Sequence, residues 1–239
     1  MSTSIDLGQT VAFVTGANRG LGLAFVKALR DRGANKIYAA ARDTSTLPAG
    51  VHPVRLDVTN PADVEAAARG CGDVTLLINN AGITRSSAFL VPGGVEAARA
   101  ELETNYFGPL AMARAFAPAL AANGGGAIVN VLSVLSWMSF PSEATYSASK
   151  AAAWSLTNGL RTELRGQGTR VVALHVAFMD TDMAAGVNVP KTAPSDVARL
   201  ALDALVAGDD EVLADDITRG VKQGLSAERG VYLSPPGVA

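Results

Sequence analysis

A serine, a tyrosine and a lysine at a spacing suited to proton transfer stand in the middle of this 239-residue chain. Tyr146 follows Ser133 by thirteen positions, and Lys150 follows Tyr146 by four. Residues four apart share a helix face, so the Tyr146 phenol and the Lys150 ammonium point into the same space. A phenol ordinarily titrates near pH ~10, and lowering that by about three units requires roughly 4 kcal/mol of preference for the phenolate. A cation beside it in a poorly solvated site supplies a preference of that size. Such a pair also occurs by chance on ordinary helices, so it gains meaning only from what surrounds it.

The elements that must position these residues begin near the N-terminus. Residues 10–15 form a short apolar run followed by Gly16, Gly20 and Gly22. Leu21, Phe25, Ala28 and Leu29 then recur at helical spacing until Gly33, and a second apolar run covers 37–41. This order predicts a strand, a glycine turn, a helix and a second strand. Glycines let backbone amides approach a phosphate, and the helix starting near Gly20 offers it unpaired N–H groups and the positive end of a dipole.

Further apolar runs at 52–56, 74–79, 127–132, 171–176 and 212–214 predict strands with helices between them. Ala153, Leu156, Leu160 and Leu164 share one helix face that ends near Gly166 and Gly168. Pro194-Ser195-Asp196 opens another helix, carried by Val197, Leu200, Ala201, Ala204 and Leu205. The alternation predicts an α/β fold, a doubly wound parallel sheet of Rossmann type with helices on both faces. No linker, repeat or low-complexity tract interrupts it, so residues 1–239 read as a single domain. Ligands of such sheets bind beyond the carboxyl ends of the strands, which gathers the glycine turn, Asn79, Ser133 and the loop after Val176 into one crevice. Within 95–122, which otherwise reads as one long helix, Pro109 lies four residues after Asn105. Proline has no N–H, so the Asn105 carbonyl loses its helical partner, a bend is expected there, and the free carbonyl can hold a water.

Composition bounds the possibilities. With 49% hydrophobic and 18% charged residues the chain can bury a large core. A net charge of −2 and the lack of any Lys/Arg block argue against nucleic acid as a partner. Residues 1–9 lack the apolar core of a signal peptide, and no stretch approaches the ~20 apolar residues that span a bilayer, so a cytoplasmic protein without a membrane partner is expected. One cysteine, Cys71, excludes an internal disulfide and a cysteine metal cluster; it reads as a passive helix-end residue. His175 reads as a strand-end residue with a satisfied ring, His52 has less claim to a role, and no metal site is expected.

Taken together, Thr15-Gly16-Ala17-Asn18-Arg19-Gly20-Leu21-Gly22, the Asn79-Asn80-Ala81-Gly82 turn, Asn105, Ser133, Tyr146 and Lys150 stand in the order and approximate spacing of the classical short-chain dehydrogenases/reductases. The chain resembles that family over almost its whole length. The resemblance implies that Tyr146 is the general acid/base protonating a carbonyl oxygen during reduction, and that Lys150 holds the nicotinamide ribose and lowers the Tyr146 pKa. It implies that Ser133 hydrogen-bonds the same carbonyl oxygen, the thirteen-residue interval favouring it over Ser136 and Ser139. A water at Asn105 would link Lys150 to solvent. Gly16, Asn18, Arg19, Gly20, Leu21 and Gly22 would cradle the coenzyme, Asp57 would contact adenine with Val58 beside it, and Asn79, Ala81 and Gly82 would border the cofactor. Thr181 would reach the carboxamide. The helices from Val95 and from about Ala144 resemble those that pair subunits in the family, so a homodimer or homotetramer is expected. Val176-Ala177 replaces the family's usual Pro-Gly, and the short segment 181–194 suggests a lightly covered site.

Coenzyme choice turns on the end of the second strand, where NAD-preferring enzymes usually carry an acid for the ribose. Alignment through Gly33-Ala34 puts Ala41 there, with Arg42 next, and Arg42 and Arg19 can flank a 2′-phosphate, which predicts NADP(H). A two-residue register shift would instead make Asp43 the ribose-binding acid and favour NAD. Trp137, Met138, Phe140, Met179 and Met183 read equally well as substrate wall or as core, and their character disfavours a highly charged substrate. The expected activity is an NADP(H)-dependent carbonyl reductase or secondary-alcohol dehydrogenase acting on a small molecule. The alternatives are a nucleotide-sensing regulator or scaffold of the same fold without turnover, and the same fold performing dehydration or epimerisation.

Overall fold

In the computed structural model, which describes residues 5–233, every expected strand forms within two residues of its expected bounds. These are β1 Val11–Thr15, β2 Lys36–Ala41, β3 His52–Arg55, β4 Leu76–Asn79, β5 Ala127–Val131, β6 Arg170–His175 and β7 Glu211–Leu213. They make one sheet in the order β3-β2-β1-β4-β5-β6-β7, parallel throughout. Helices α1 Gly20–Asp31, α2 Pro61–Gly70, α3 Gly94–Leu102, α4 Gly108–Ala122, α5 Ala144–Glu163, α6 Pro194–Ala207 and α7 Asp216–Gly224 connect and cover it. Among the described residues no helix is long and apolar enough to cross a membrane.

A parallel sheet covered on both faces needs apolar side chains in both directions, so its strands are continuous apolar runs and not alternating ones. All five residues of β1 are buried. Ala12 and Val14 join Leu21, Phe25 and Leu29 of α1 and Val197, Ala201 and Leu205 of α6 on one side. Val11 and Phe13 join Val64 and Ala67 of α2, Met112, Phe116 and Leu120 of α4 and Leu160 of α5 on the other. The Phe13 and Phe116 rings meet at 4.9 Å between centroids. Each such Leu or Phe contributes about 1.5–3 kcal/mol on burial, which makes the sheet centre the stiff part onto which the strand-end loops are mounted. The chain runs outward from β1 to β2 and β3, then crosses back past β1 to β4, so the order reverses between β1 and β4, the switch point above whose carboxyl ends such sheets bind their ligands.

The segment expected to be one bent helix is two helices, α3 and α4, joined by a π turn over Glu103–Phe107. The Gly108 N–H reaches back to the Glu103 carbonyl, and Pro109, which has no N–H to give, follows it at the start of α4. The disturbance at Asn105 is thus an inserted residue and not a simple bend. It rotates the Asn105 side chain out of helical register and toward the loop after β4.

Candidate functional site

The glycine turn is built by contact as much as by conformation. Gly16 and Gly20 take φ +62° and +52°, values that side chains rarely adopt. Gly22 has no such torsion; a Cβ there would lie 2.1 Å from the Gly16 carbonyl oxygen and 2.6 Å from Asn80 Nδ2. The first bond into α1 runs from the Leu23 N–H to the Arg19 carbonyl, so the N–H groups of Gly20, Leu21 and Gly22 have no partner in the helix ladder. Leu21 offers only this backbone group, because its side chain is core. Asn80, marked in the sequence only as part of a motif, fixes the turn from the loop after β4: its Nδ2 donates to the carbonyls of Thr15 (2.8 Å) and Gly16 (3.2 Å). Thr15 Oγ1 in turn accepts from the N–H groups of Asn80 and Ala81, both at 2.9 Å. Asn79 departs from its expected role. Its side chain is 4% exposed and donates to Asn130 Oδ1 on β5, which donates to Thr157 of α5, so it ties the sheet to a helix and does not face the crevice. Strand alternation is the reason: of two consecutive asparagines, one must point into the sheet's packing.

A line of close approaches leads from this turn to the phenol. The place where a Gly16 Cβ would sit is 3.1 Å from Ala81 Cα; that of Gly82 is 3.1 Å from Asn105 Oδ1 and 3.7 Å from Lys150 Nζ. Lys150 is buried and its Nζ donates to the Val131 carbonyl at the end of β5 (2.8 Å), 5.7 Å from the centre of the Tyr146 ring. Burial pushes its ammonium down to about 8. Tyr146 lies on the first turn of α5, with the Ser133 side chain beside its hydroxyl. Its hydroxyl departs from the expectation of a lowered pKa. Burial pushes it up, the neighbouring Ser133 side chain favours the anion, and the carboxylates of Glu143 and Glu101 oppose it. With Lys150 turned to Val131, the phenol is held in its acid form.

Asn105 is reached by a different route from the one expected. Its side chain clamps the strand-like segment after β4, accepting from the Ile83 N–H and donating to the Ile83 carbonyl, each at 2.9 Å, and donating also to Ser149 Oγ. On α3, buried Glu101 accepts from the Arg85 N–H at 2.6 Å. Thr84 donates to Glu143 (2.7 Å), and Thr145 donates to the Ser87 carbonyl through both its N–H and its hydroxyl. The loop bordering the phenol is therefore stitched to α3 and α5. Ser149, Glu101 and Glu143 were not legible as site residues, since a buried carboxylate in a helix has no sequence signature apart from its partner.

On the coenzyme side, Ala41 ends β2 and exposed Arg42 follows it. Asp43, two residues past the end of β2, caps a local turn, accepting from the Ser45 N–H and hydroxyl. Asp57 lies above β3 and accepts from the Thr59 N–H and hydroxyl; those bonds, and more weakly the Arg42 charge, lower its pKa. Val58 packs where a Gly108 Cβ would sit, 3.0 Å from it. Part-buried Asn18 belongs to the glycine turn itself. Thr181 sits over that turn, its methyl 3.3 Å from the position of a Gly20 Cβ, and Arg19 pairs with the neighbouring Asp182 at 2.9 Å. Both partners are more than 70% exposed (71% and 79%), so the pair is worth about 0–1 kcal/mol and leaves the guanidinium available to a stronger anion. In place of Pro-Gly, Val176 accepts from the Val134 N–H and Ala177 donates to Asp215, the cap of α7, which anchors the loop after β6. Trp137 and Met138 resolve as core, packed with Val134 and Val221, while Met183 is exposed and Phe140 and Met179 are part-buried. Among the described residues no group of His, Cys, Asp or Glu could hold a metal ion. Cys71 caps α2 and is buried, its thiol pushed up to about 11.

His175 is only half satisfied. It is 0% exposed, Nδ1 meets the Ser133 carbonyl at 3.2 Å, and Nε2 has no hydrogen-bond partner. Burial lowers its pKa from 6.5 to about 4; the Ser133 bond and the Glu211 charge oppose this, and the Lys222 and Lys150 charges assist it. A folded value below the unfolded one means that the native state binds fewer protons in between. Stability is then complete above about pH 6.5 and is lost as pH falls toward 4, by roughly 3 kcal/mol from this group. Urea unfolding at neutral and acid pH should show His175→Asn losing less stability than the native protein over that window. An equal loss would exclude His175 as the cause.

The chain's likenesses agree with this geometry. The short chain dehydrogenase family model matches residues 10–191. An uncharacterised oxidoreductase of Staphylococcus saprophyticus is 32% identical over 219 residues, covering 84% of this chain and 93% of that protein. The 3-oxoacyl-(acyl-carrier-protein) reductase FabG of Vibrio cholerae is 32% identical over 194 residues, covering 77% and 79%. Among solved structures, a short chain dehydrogenase from Burkholderia cenocepacia J2315 in complex with NADP has a TM-score of 0.90 and 46% identity over 94% of this chain and 96% of its own. A short chain dehydrogenase/reductase from Burkholderia phymatum in complex with NAD has a TM-score of 0.84 and 28% identity over 92% and 94%. With its seven-stranded parallel sheet, glycine turn and strand-end crevice, this chain belongs to the short-chain dehydrogenases, a family of oxidoreductases that use a nicotinamide coenzyme.

Proposed function

We propose that the protein is an NADP(H)-dependent reductase of ketones or aldehydes, which also oxidises the corresponding alcohols. The observation that carries this reading is the convergence of the Tyr146 hydroxyl, the Ser133 side chain beside it and buried Lys150, whose Nζ stands 5.7 Å from the centre of the Tyr146 ring. The cradle fits the coenzyme. Gly22 leaves room that any side chain would fill, three backbone N–H groups at the start of α1 suit a pyrophosphate, and Arg19 and Arg42 suit a 2′-phosphate. When bound, the nicotinamide supplies or accepts the hydride. Tyr146, kept protonated in its part-buried setting, donates to the carbonyl oxygen, and Ser133 steadies the charge that develops there. Lys150, a buried cation, holds the ribose and favours the phenolate needed in the oxidising direction. Asn105 keeps the Ile83 segment in place beside them. The 46% identity to a protein in complex with NADP supports the coenzyme choice. The exposed Phe107 ring at the π turn supports pairing of subunits along α4 and α5.

The test supplies NADPH and NADH separately with a panel of aldehydes, ketones, diketones and quinones. NADPH is expected to be preferred. Arg42→Ala and Arg19→Ala should each weaken NADPH binding about tenfold, the effect of ~1.4 kcal/mol, while leaving NADH binding as it is. Preference for NADH in the native protein would overturn the coenzyme assignment alone. Binding without turnover across the whole panel would favour a nucleotide-sensing protein.

A further inference from the structure

His175 takes no part in the chemistry above, yet its placement is specific. It ends β6, and its ring stacks on Trp137 at 4.0 Å with an interplanar angle of 22°. On the far side Nε2 lies 3.7 Å from Glu211 Oε1, beyond hydrogen-bond reach, and that carboxylate is already taken by Lys222 at 2.8 Å. Lys222 in turn stands 5.0 Å over the Trp137 ring. Among the described residues the one acceptor within reach of the imidazole is the Ser133 carbonyl at Nδ1, so the ring proton belongs on Nδ1.

This bond completes the restraint of Ser133. Its N–H donates to Ser136 Oγ (3.3 Å), its carbonyl accepts from the Ser136 N–H (3.0 Å) as well as from His175, and its Oγ accepts from the Leu135 N–H (3.1 Å). The bonds to Ser136 and Leu135 close a short turn that could pivot as a unit about the end of β5. The bond from His175 comes from a different strand and ties that turn to the sheet. We propose that His175 is a positioning residue: a neutral imidazole, protonated at Nδ1, that fixes the orientation of Ser133 and so aims its hydroxyl at the shared site of Tyr146 and the substrate carbonyl. This rests on the reading of Ser133 given under the proposed function.

Two substitutions separate positioning from packing. His175→Phe keeps a flat ring against Trp137 and cannot donate, whereas His175→Asn is smaller and can. With the best substrate of the panel, His175→Phe is expected to lower kcat about tenfold, less than the ~10²–10³ of deleting an oxyanion donor outright, with KM and the NADPH dissociation constant unchanged. His175→Asn should recover most of that loss. Native kcat in His175→Phe, or an Asn variant as slow as the Phe variant, would overturn the proposal. A second measurement needs no turnover. The chain has two histidines, so ¹⁵N-histidine spectra resolve the His175 ring directly. Protonation at Nδ1 with bare Nε2 is expected, and a ring protonated at Nε2 would overturn the proposal. A protein that reduces no carbonyl would sink the proposed function, and the tautomer would still decide this one.

Discussion

Tyr146→Phe is expected to reduce kcat by ~10²–10⁴-fold while the protein stays folded and binds NADPH with native affinity. The substitution removes one oxygen from a part-buried ring and no apolar contact, so the helix that carries it has no reason to shift. What it removes is the proton. Burial and the Glu143 and Glu101 carboxylates keep the phenol protonated, which suits it to donate to a carbonyl oxygen at neutral pH. Ser133 alone can orient that oxygen but is a far weaker acid, so a small residual rate should survive. Equal rates for the native and Phe proteins, followed through the loss of NADPH absorbance, would remove Tyr146 from the chemistry and the proposed mechanism with it.

The second large effect is expected at Gly22, for steric reasons. A methyl group there would meet the Gly16 carbonyl oxygen at 2.1 Å, its carbon at 2.8 Å and Asn80 Nδ2 at 2.6 Å, and two of these are backbone atoms that can move only by deforming the turn. Overpacking of this kind costs about 1–3 kcal/mol, a fall in Tm of roughly 2–4 °C per kcal/mol for a chain of this size. Gly22→Ala should therefore both lower Tm and abolish measurable nucleotide binding, because the N–H groups that face a pyrophosphate are displaced. Gly159→Ala is the control: it lies on α5 with nothing within 4 Å of its added Cβ, and should raise stability by about 0.4–1 kcal/mol with binding intact. Tight NADPH binding by Gly22→Ala, measured by fluorescence titration, would show that the turn is not the phosphate cradle.

The order of elements was written in the chain because each is set by local chemistry. Apolar runs of strand length, glycines at the turns and proline at the start of α6 act on their own neighbours, and they gave all seven strands and the helix at Pro194. The pairing of Tyr146 with Lys150 was legible for the same reason, since four residues along a helix is a local distance. The sequence also pointed to Pro109 as a disturbance, because a missing N–H is a property of one residue. Whether the helix would bend or take in an extra residue depended on what Asn105 could grasp, and Ile83 and Ser149 are 22 and 44 positions away from it. The same holds for Asn79 and Asn80. The sequence marked both, and only the neighbouring strand decided that one would bind Asn130 and the other the glycine turn. The Tyr146 pKa, the partner of Arg19 and the half-satisfied ring of His175 belong to this second class. They are sums over charges, solvent and acceptors contributed by segments far apart in the chain, which meet only once the sheet is assembled.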